Sequence, residues 1–209
     1  MKAYNNDPEL KAAFMAEMEW HRTQDRIISG SYRKGSNGDF SGCFIGCAIH
    51  SLTKITGQQL ETSNHQLLEE HLGFPLALNH LADVIFEGLP SKKSTQFAMD
   101  LPAAIPVGAD LSMVVPHFIY WTLTDNVRPT RYPQFQEFID AVIALYEEWT
   151  RTGVRPLADR ADLAYLADLA YLADLAYRGD LADRSDLADR ADRASVKLLE
   201  LVAAGGVGQ

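Results

Sequence analysis

The feature that most constrains the fold is a short repeat near the C-terminus. From Leu157 to Ser195 the chain runs in triplets of Leu or Arg, then a small residue, then usually Asp or Tyr. The segment contains no Val, Ile or Thr, whereas Ala, Leu and Arg are strong helix formers. A left-handed β-helix of hexapeptides would have only about two coils here, and the five-residue period of a pentapeptide solenoid does not match. The repeat therefore predicts an α-helix.

This repeat cannot keep one apolar face along its whole length. A three-residue step on an α-helix falls about 60° short of a full turn, so the leucine stripe winds around the rod. In the middle of the repeat, leucines and tyrosines together cover much of the circumference. We expect this part to be buried against the rest of the chain or, as the alternative, in a homo-oligomer formed through residues 157–195.

The rest of the chain also has the pattern of a helical protein. Apolar residues recur at three- and four-residue steps from Pro8 to about Ser29, and Asp7 is the expected N-cap of that helix. Glycines and serines predict a loop over 30–42, and two prolines predict an extended segment over 101–110. Apolar patterns predict further helices over 43–56, 64–72, 75–88, 111–125 and 135–149.

We therefore predict an all-α fold with two parts. Residues 1–152 form a helical core domain, in which 111–125 is the central helix because it is apolar almost all round. Residues 153–209 form a long repeat-bearing helix that packs on the core or on a partner.

Charge and composition exclude several classes of protein. The formal net charge is −9, and no stretch gathers Lys and Arg on one face, so duplex nucleic acid is not an expected partner. No run approaches the roughly 20 apolar residues of a membrane span, and the N-terminus lacks the order of a signal peptide. Cys43 and Cys47 are too few for a disulfide scaffold. These observations predict a cytoplasmic protein with no membrane partner.

The segment from Ser41 to His50 is the one that most resembles a catalytic site. A thiol in the first turn of a helix has its thiolate favoured by free backbone N–H groups, which makes Cys43 a candidate nucleophile. His50 follows on the same helix face and is the candidate base, although any of the other histidines could approach through the fold. The alternative is that both cysteines are small buried apolar residues beside tightly packed glycines.

A metal site is a weaker interpretation of the same segment. Cys43, Cys47 and His50 would need a fourth ligand such as His21 or Asp39. Three residues separate the cysteines, whereas zinc sites favour two, and no second ligand pair follows. We expect no metal and no cofactor.

A glycine-rich loop leading into a helix is a possible anion site. The loop from Lys34 to Gly42 runs into a predicted helix N-terminus, where N–H groups can hold a phosphate, but no Gly-Lys-Ser/Thr sequence closes it as in a P-loop. Asp110 is the expected cap of the following helix and is also a candidate carboxylate, as is Glu87. The candidate ligand-binding residues are Lys34, Gly38, Gly42, Glu87 and Asp110.

The chain resembles a group of proteins encoded by phages and bacterial genomes. The shared elements are Gly-Cys-x-x-Gly-Cys at 42–47, Ile-Phe-Glu-Gly-Leu-Pro at 85–90, a segment like Pro-Gly-Ala-Asp-Leu-Ser at 107–112 with Val107 in place of the proline, and a long Ala-rich C-terminal tail. The resemblance spans nearly the whole chain. It implies a helical tail and a phage or prophage setting, and it implies no particular reaction.

The absence of a complete catalytic or cofactor motif favours a non-enzymatic binding protein. Its partner would be a host protein or a small anionic, nucleotide-like ligand held near the glycine loop and Cys43. The alternatives are a cysteine-dependent hydrolase or transferase that uses Cys43, and a structural or oligomer-forming protein that uses the repeat.

Overall fold

The computed structural model describes residues 1–35, 39–125, 136–156 and 184–205. Within these ranges the protein is all-α, as predicted, and the only β pairing consists of two isolated bridges. A short 3-10 turn at Ala3–Asn6 precedes eight helices. These are α1 (Pro8–Thr23), α2 (Phe44–Thr56), α3 (Gln66–Leu72), α4 (Leu76–Gly88), α5 (Ser91–Ala104), α6 (Val114–Asp125), α7 (Gln136–Thr152) and α8 (Arg184–Ala203).

Helix α1 begins where the sequence predicts and ends earlier. The Asp7 carboxylate accepts the backbone N–H groups of Glu9 and Leu10, which caps the helix. The predicted end near Ser29 is wrong, since the helix stops at Thr23 and Asp25 takes a left-handed φ of 52°. The chain then runs as a loop to α2, and Ile27 in this loop forms a bridge with Gly42.

Helix α5 is absent from the sequence prediction. Residues 101–104, predicted to be extended, form its last turn, and Pro102 lies inside the helix. The pattern failed because the first half of α5 is rich in Lys, Ser, Thr and Gln and shows no clear apolar stripe. The helix is stabilised by tertiary contacts instead, since Phe97, Ala98 and Leu101 are buried.

The most buried helix is α2. Every residue from Phe44 to Leu52 is buried, whereas α6, the predicted central helix, contains several half-exposed residues. Helix α2 packs against α1, α3 and α4. Its N-terminus is therefore held in the interior of the surrounding helices.

The contacts divide the chain into two units. Unit one contains residues 1–115 and 188–207, and unit two contains 116–187. Most of α8 belongs to unit one, where Leu198 and Val202 are fully buried and Lys93 pairs with Asp192 at 2.8 Å.

The helix predicted for the repeat is present from Arg184 onward. Residues 157–183, and with them most of the predicted oligomer surface, lie outside the described residues. Among the helices described, none has both the length and the apolar character needed to cross a bilayer.

Candidate functional site

The N-terminus of α2 is covered closely by the preceding loop. A Cβ atom on Gly42 or Gly46 would overlap the backbone carbonyl of Tyr32, so both positions must be glycine for the loop to lie this close. The Cys43 backbone N–H donates to the carbonyl of Ser31 at 2.6 Å. The two glycines of the Gly-Cys-x-x-Gly-Cys segment thus fix the loop and leave the side chain of Cys43 facing α4.

Helix α4 brings two carboxylates to Cys43. Asp83 and Glu87 are four residues apart and therefore lie on one helix face. The Cys43 Sγ atom and one oxygen from each carboxylate all lie within 4.8 Å of one another. Cys43 is 1% exposed, Asp83 is largely buried and Glu87 is exposed. We call Cys43, Asp83 and Glu87 the acidic cluster.

Neighbouring groups hold one side of each carboxylate. The Tyr32 hydroxyl donates to Asp83 Oδ2 at 3.0 Å, and His65 Nε2 lies 3.1 Å from the same oxygen. Both oxygens of Glu87 accept the N–H of Gly30, at 2.8 and 3.1 Å. Asp83 Oδ1, by contrast, is buried and has no hydrogen-bond partner. The cluster therefore contains a fixed carboxylate with one unused oxygen.

The pKa shifts in the cluster follow from burial and like charge. The pKa of Cys43 is raised to about 12, chiefly by burial and to a smaller extent by the charges of Asp83 and Glu87, while the Gly46 and Ile45 N–H groups oppose the rise. Burial likewise raises the pKa of Glu87. Burial and the hydrogen bond to Asp83 raise the pKa of Tyr32 to about 12. At neutral pH the protein alone therefore keeps Cys43 as a thiol.

A second group of polar side chains lies further along α2 and is closed to solvent. His50 Nδ1 and His21 Nε2 are 3.1 Å apart, and Phe40 stacks on His50 with ring centroids 4.1 Å apart. The Cys47 thiol donates to the carbonyl of Gly42 at 3.3 Å. We call His21, His50, Phe40 and Cys47 the histidine core.

Burial keeps both histidines of this core neutral. It lowers the pKa of His21 to about 4, with smaller effects of the same sign from His50, Arg26 and Lys54. It lowers the pKa of His50 as well. His50 pairs with His21. The predicted catalytic pair of Cys43 and His50 is not formed.

The other predicted binding residues do not converge. Lys34 forms a two-way backbone bridge with Ser41, Gly42 is a packing residue, and Gly38 lies outside the described residues. Asp110 accepts the Ser112 N–H and pairs with Lys2 at 3.4 Å, but α6 begins only at Val114, so Asp110 is not its N-cap, and it lies far along the chain from the cluster. Of the five predicted ligand-binding residues, Glu87 alone belongs to the acidic cluster.

The metal set considered from the sequence is also not assembled. Among the described residues, the one group of three or more potential metal ligands within 4.8 Å is the acidic cluster. Cys47 and His50 are engaged in the histidine core instead.

Tyr32 and Asp83 are not predicted as site residues from the sequence, and His65 is considered there only as one of the histidines that could approach Cys43. A signal for Asp83 exists in the spacing of His80, Asp83 and Glu87, which places three polar residues on one face of α4. Val84, which follows Asp83 in the chain, is 61% exposed, because the helix turns its polar face toward α2. No local pattern indicates Tyr32 or His65.

Comparison of the chain with protein-family models, with curated proteins and with solved structures gives no match.

Proposed function

We propose that this protein is a binding protein whose acidic cluster holds a small cationic ligand. The observation that carries the proposal is the Asp83 Oδ1 atom, which is buried without a hydrogen-bond partner on a carboxylate that has an oxygen within 4.8 Å of ligand atoms of Glu87 and Cys43. An unpaired buried carboxylate oxygen is costly. A bound cation would supply the missing partner.

The sign of the charge argues against the anionic ligand expected from the sequence. Among the described residues, no Lys or Arg side chain pairs with Asp83 or Glu87. The N-terminus of α2, which was the expected phosphate site, faces these two carboxylates. A phosphate here would be repelled by like charge at short range, so the site favours a cation.

The geometry does not support the alternative of a cysteine-dependent hydrolase or transferase. A nucleophilic cysteine needs a depressed pKa and a base within hydrogen-bonding distance. Cys43 has a raised pKa, it is 1% exposed, and oxygens of two carboxylates lie within 4.8 Å of its sulfur. We therefore propose that the protein binds a ligand at this cluster rather than catalysing a reaction through Cys43.

The proposal includes a reducing, cytoplasm-like compartment. Cys43 and Cys47 are both free thiols, and such thiols persist where the cellular redox buffer is reducing. A phage or prophage origin fits this setting and remains part of the proposal.

The proposal is tested by thermal unfolding of the full chain with added cations. The probes are zinc chloride, magnesium chloride and 1,4-diaminobutane, with sodium phosphate as the anionic comparison. We expect at least one cation to raise the Tm of the wild type, because a ligand that binds only the folded state stabilises it. Asp83→Asn and Glu87→Gln, which keep the shape of each side chain, should abolish the shift.

Matched controls separate the cluster from net charge. Asp25→Asn and Glu17→Gln remove one negative charge each, and Asn tolerates the left-handed φ of Asp25. Both should respond to cations as the wild type does. A response to phosphate alone, or an equal cation response in Asp83→Asn and the wild type, would contradict the proposal.

A further inference from the structure

We infer that the cation at the acidic cluster is a divalent transition-metal ion of the zinc type, bound by Cys43, Asp83 and Glu87. The inference rests on the proposed function and specifies the ligand of that same site. It replaces the expectation that the chain carries no metal.

The chemistry of the three donors selects the class of ion. Thiolate sulfur prefers borderline and soft ions such as Zn²⁺, whereas Mg²⁺ and Ca²⁺ take oxygen ligands almost exclusively. An organic ammonium ion would use the two carboxylates and would gain little from a buried thiol. The presence of Cys43 between Asp83 and Glu87 therefore favours zinc over these alternatives.

The distances suit such an ion. Zinc binds sulfur at about 2.3 Å and carboxylate oxygen at about 2.0–2.2 Å, so neighbouring ligand atoms of a tetrahedron lie roughly 3.3–3.8 Å apart. The three donor atoms of the cluster are already within 4.8 Å of one another. The donor atoms therefore need to approach one another by about 1.5 Å at most to reach the distances of a zinc site.

The groups behind the ligands have the arrangement that metal sites use. Metal-binding carboxylates are oriented by hydrogen bonds from outside the coordination sphere. Tyr32 and His65 both contact Asp83 Oδ2 and leave Oδ1 as the ligand, while the Gly30 N–H orients Glu87. Three protein ligands would leave the fourth position of a tetrahedral ion to a water molecule.

Binding of the metal ion releases one proton from the protein. The Cys43 thiol releases its proton to solvent as the sulfur–metal bond forms, and no oxidation or reduction occurs. Affinity should therefore rise by about tenfold per pH unit near neutrality, with one proton released by Cys43 for each ion bound.

The experiment uses the full chain freed of metal with a chelator under reducing conditions. Cobalt(II) is the probe, because a thiolate ligand gives a sulfur-to-cobalt charge-transfer band in the near ultraviolet. We expect this band at one ion per chain, and we expect one equivalent of zinc to remove it by displacement. Zinc content by elemental analysis gives the stoichiometry independently of any variant.

Matched cysteine variants assign the band. Cys43→Ser should remove it, whereas Cys47→Ser should keep it, because a serine hydroxyl can still donate to the Gly42 carbonyl. Tyr32→Phe should weaken zinc binding by about tenfold, as loss of a group that orients a ligand does. Circular dichroism confirms that each variant is folded.

The results that overturn the inference are distinct from those that overturn the proposed function. A cobalt spectrum without the sulfur band, or a band that survives Cys43→Ser, rules out the assigned ligands. If 1,4-diaminobutane raises the Tm and zinc does not, and Asp83→Asn removes the effect, the cationic site stands and the metal inference fails. If no cation binds, both fail.

Discussion

Cys43 is the N-cap of α2 and Cys47 lies in its first turn, and the surroundings of the two cysteines are opposite in character. Cys43 faces two carboxylates, one of which reaches solvent, and Asp83 Oδ1 in that group lacks a partner. Cys47 donates to a backbone carbonyl and is fully buried. The same residue type, repeated at a four-residue step, thus belongs once to a candidate binding site and once to the core. The difference comes from the helices that pack on each turn.

The largest expected effect comes from the glycine that holds the loop against α2, on which both regions depend. In Gly46→Ala the new methyl group must displace the backbone of Tyr32. We expect the free energy of unfolding to fall by about 3 kcal/mol, as measured by urea denaturation, with loss of cation binding.

Gly57→Ala is the matched control for this change. Gly57 has a φ of +70° and open space around the missing Cβ, so alanine there costs only about 1 kcal/mol of backbone strain. Equal losses in the two variants would show that the loop does not pack on α2 as described.

The next effect separates the two regions by the sign of their pH dependence. The pKa of His21 is lowered to about 4, so its contribution to stability is present above its unfolded pKa near 6.5 and is lost as pH falls toward 4. The loss is on the order of 3 kcal/mol. The pKa values of Cys43 and Glu87 are raised, so their contributions are present at low pH and are lost as pH rises.

His21→Gln isolates the acid side of this comparison. Glutamine can still bond to His50 and does not titrate, so the variant should lose less stability than the wild type between pH 6.5 and 4. His71→Gln, on α3, is the control and should follow the wild type. Stability is measured by urea denaturation at each pH in the absence of metal, and parallel curves for wild type and His21→Gln would contradict the assignment.

A smaller effect concerns the reactivity of the two thiols. After burial, which has the largest effect, Asp83 and Glu87 are further causes of the raised pKa of Cys43. Neither carboxylate is a cause of the raised pKa of Cys47. The double variant Asp83→Asn with Glu87→Gln should therefore speed alkylation of Cys43 severalfold at alkaline pH and leave Cys47 unchanged. Mass spectrometry of labelled peptides gives the two rates, and an equal increase at both cysteines would point to general loosening of the fold.

The smallest effect is expected from shortening the repeat. Deletion of residues 166–171 removes one hexad from unit two, and the closure cost of a long connection changes little with length. The stability of unit one should change by less than about 0.5 kcal/mol. A large loss would mean that the repeat belongs to the fold of unit one, and a change in the mass of the native particle would support the predicted oligomer contact.

Much of the helical framework was accessible from the sequence, because its signals are local. Asp7 and Pro8 start α1, and Gly57 ends α2 with the left-handed φ that favours glycine. Helix α5 is not predicted, because its sequence lacks a periodic apolar stripe. It is stabilised by the burial of Phe97 and Leu101. Such contacts appear only after the chain has folded.

The candidate site was accessible only in part. The sequence indicates Cys43 and Glu87 as separate candidates. Cys43 is a thiol at a helix N-terminus, and Glu87 is a carboxylate within a distinctive segment. Their meeting depends on how α4 packs against α2, and Tyr32 arrives from a loop whose path is set by two glycines. A sequence pattern along one element cannot report contacts among three elements.

The placement of α8 has a consequence for synthesis of the protein. Unit one is built from residues near both ends of the described chain, and Leu198 and Val202 are part of its buried interior. On the ribosome, the segments that contain Cys43 and Asp83 are synthesised first. Helix α8 becomes available to pack on them only after the whole repeat has been translated. A premature stop codon in the repeat would therefore expose the interior of the N-terminal helices, even though every residue of the acidic cluster had already been translated.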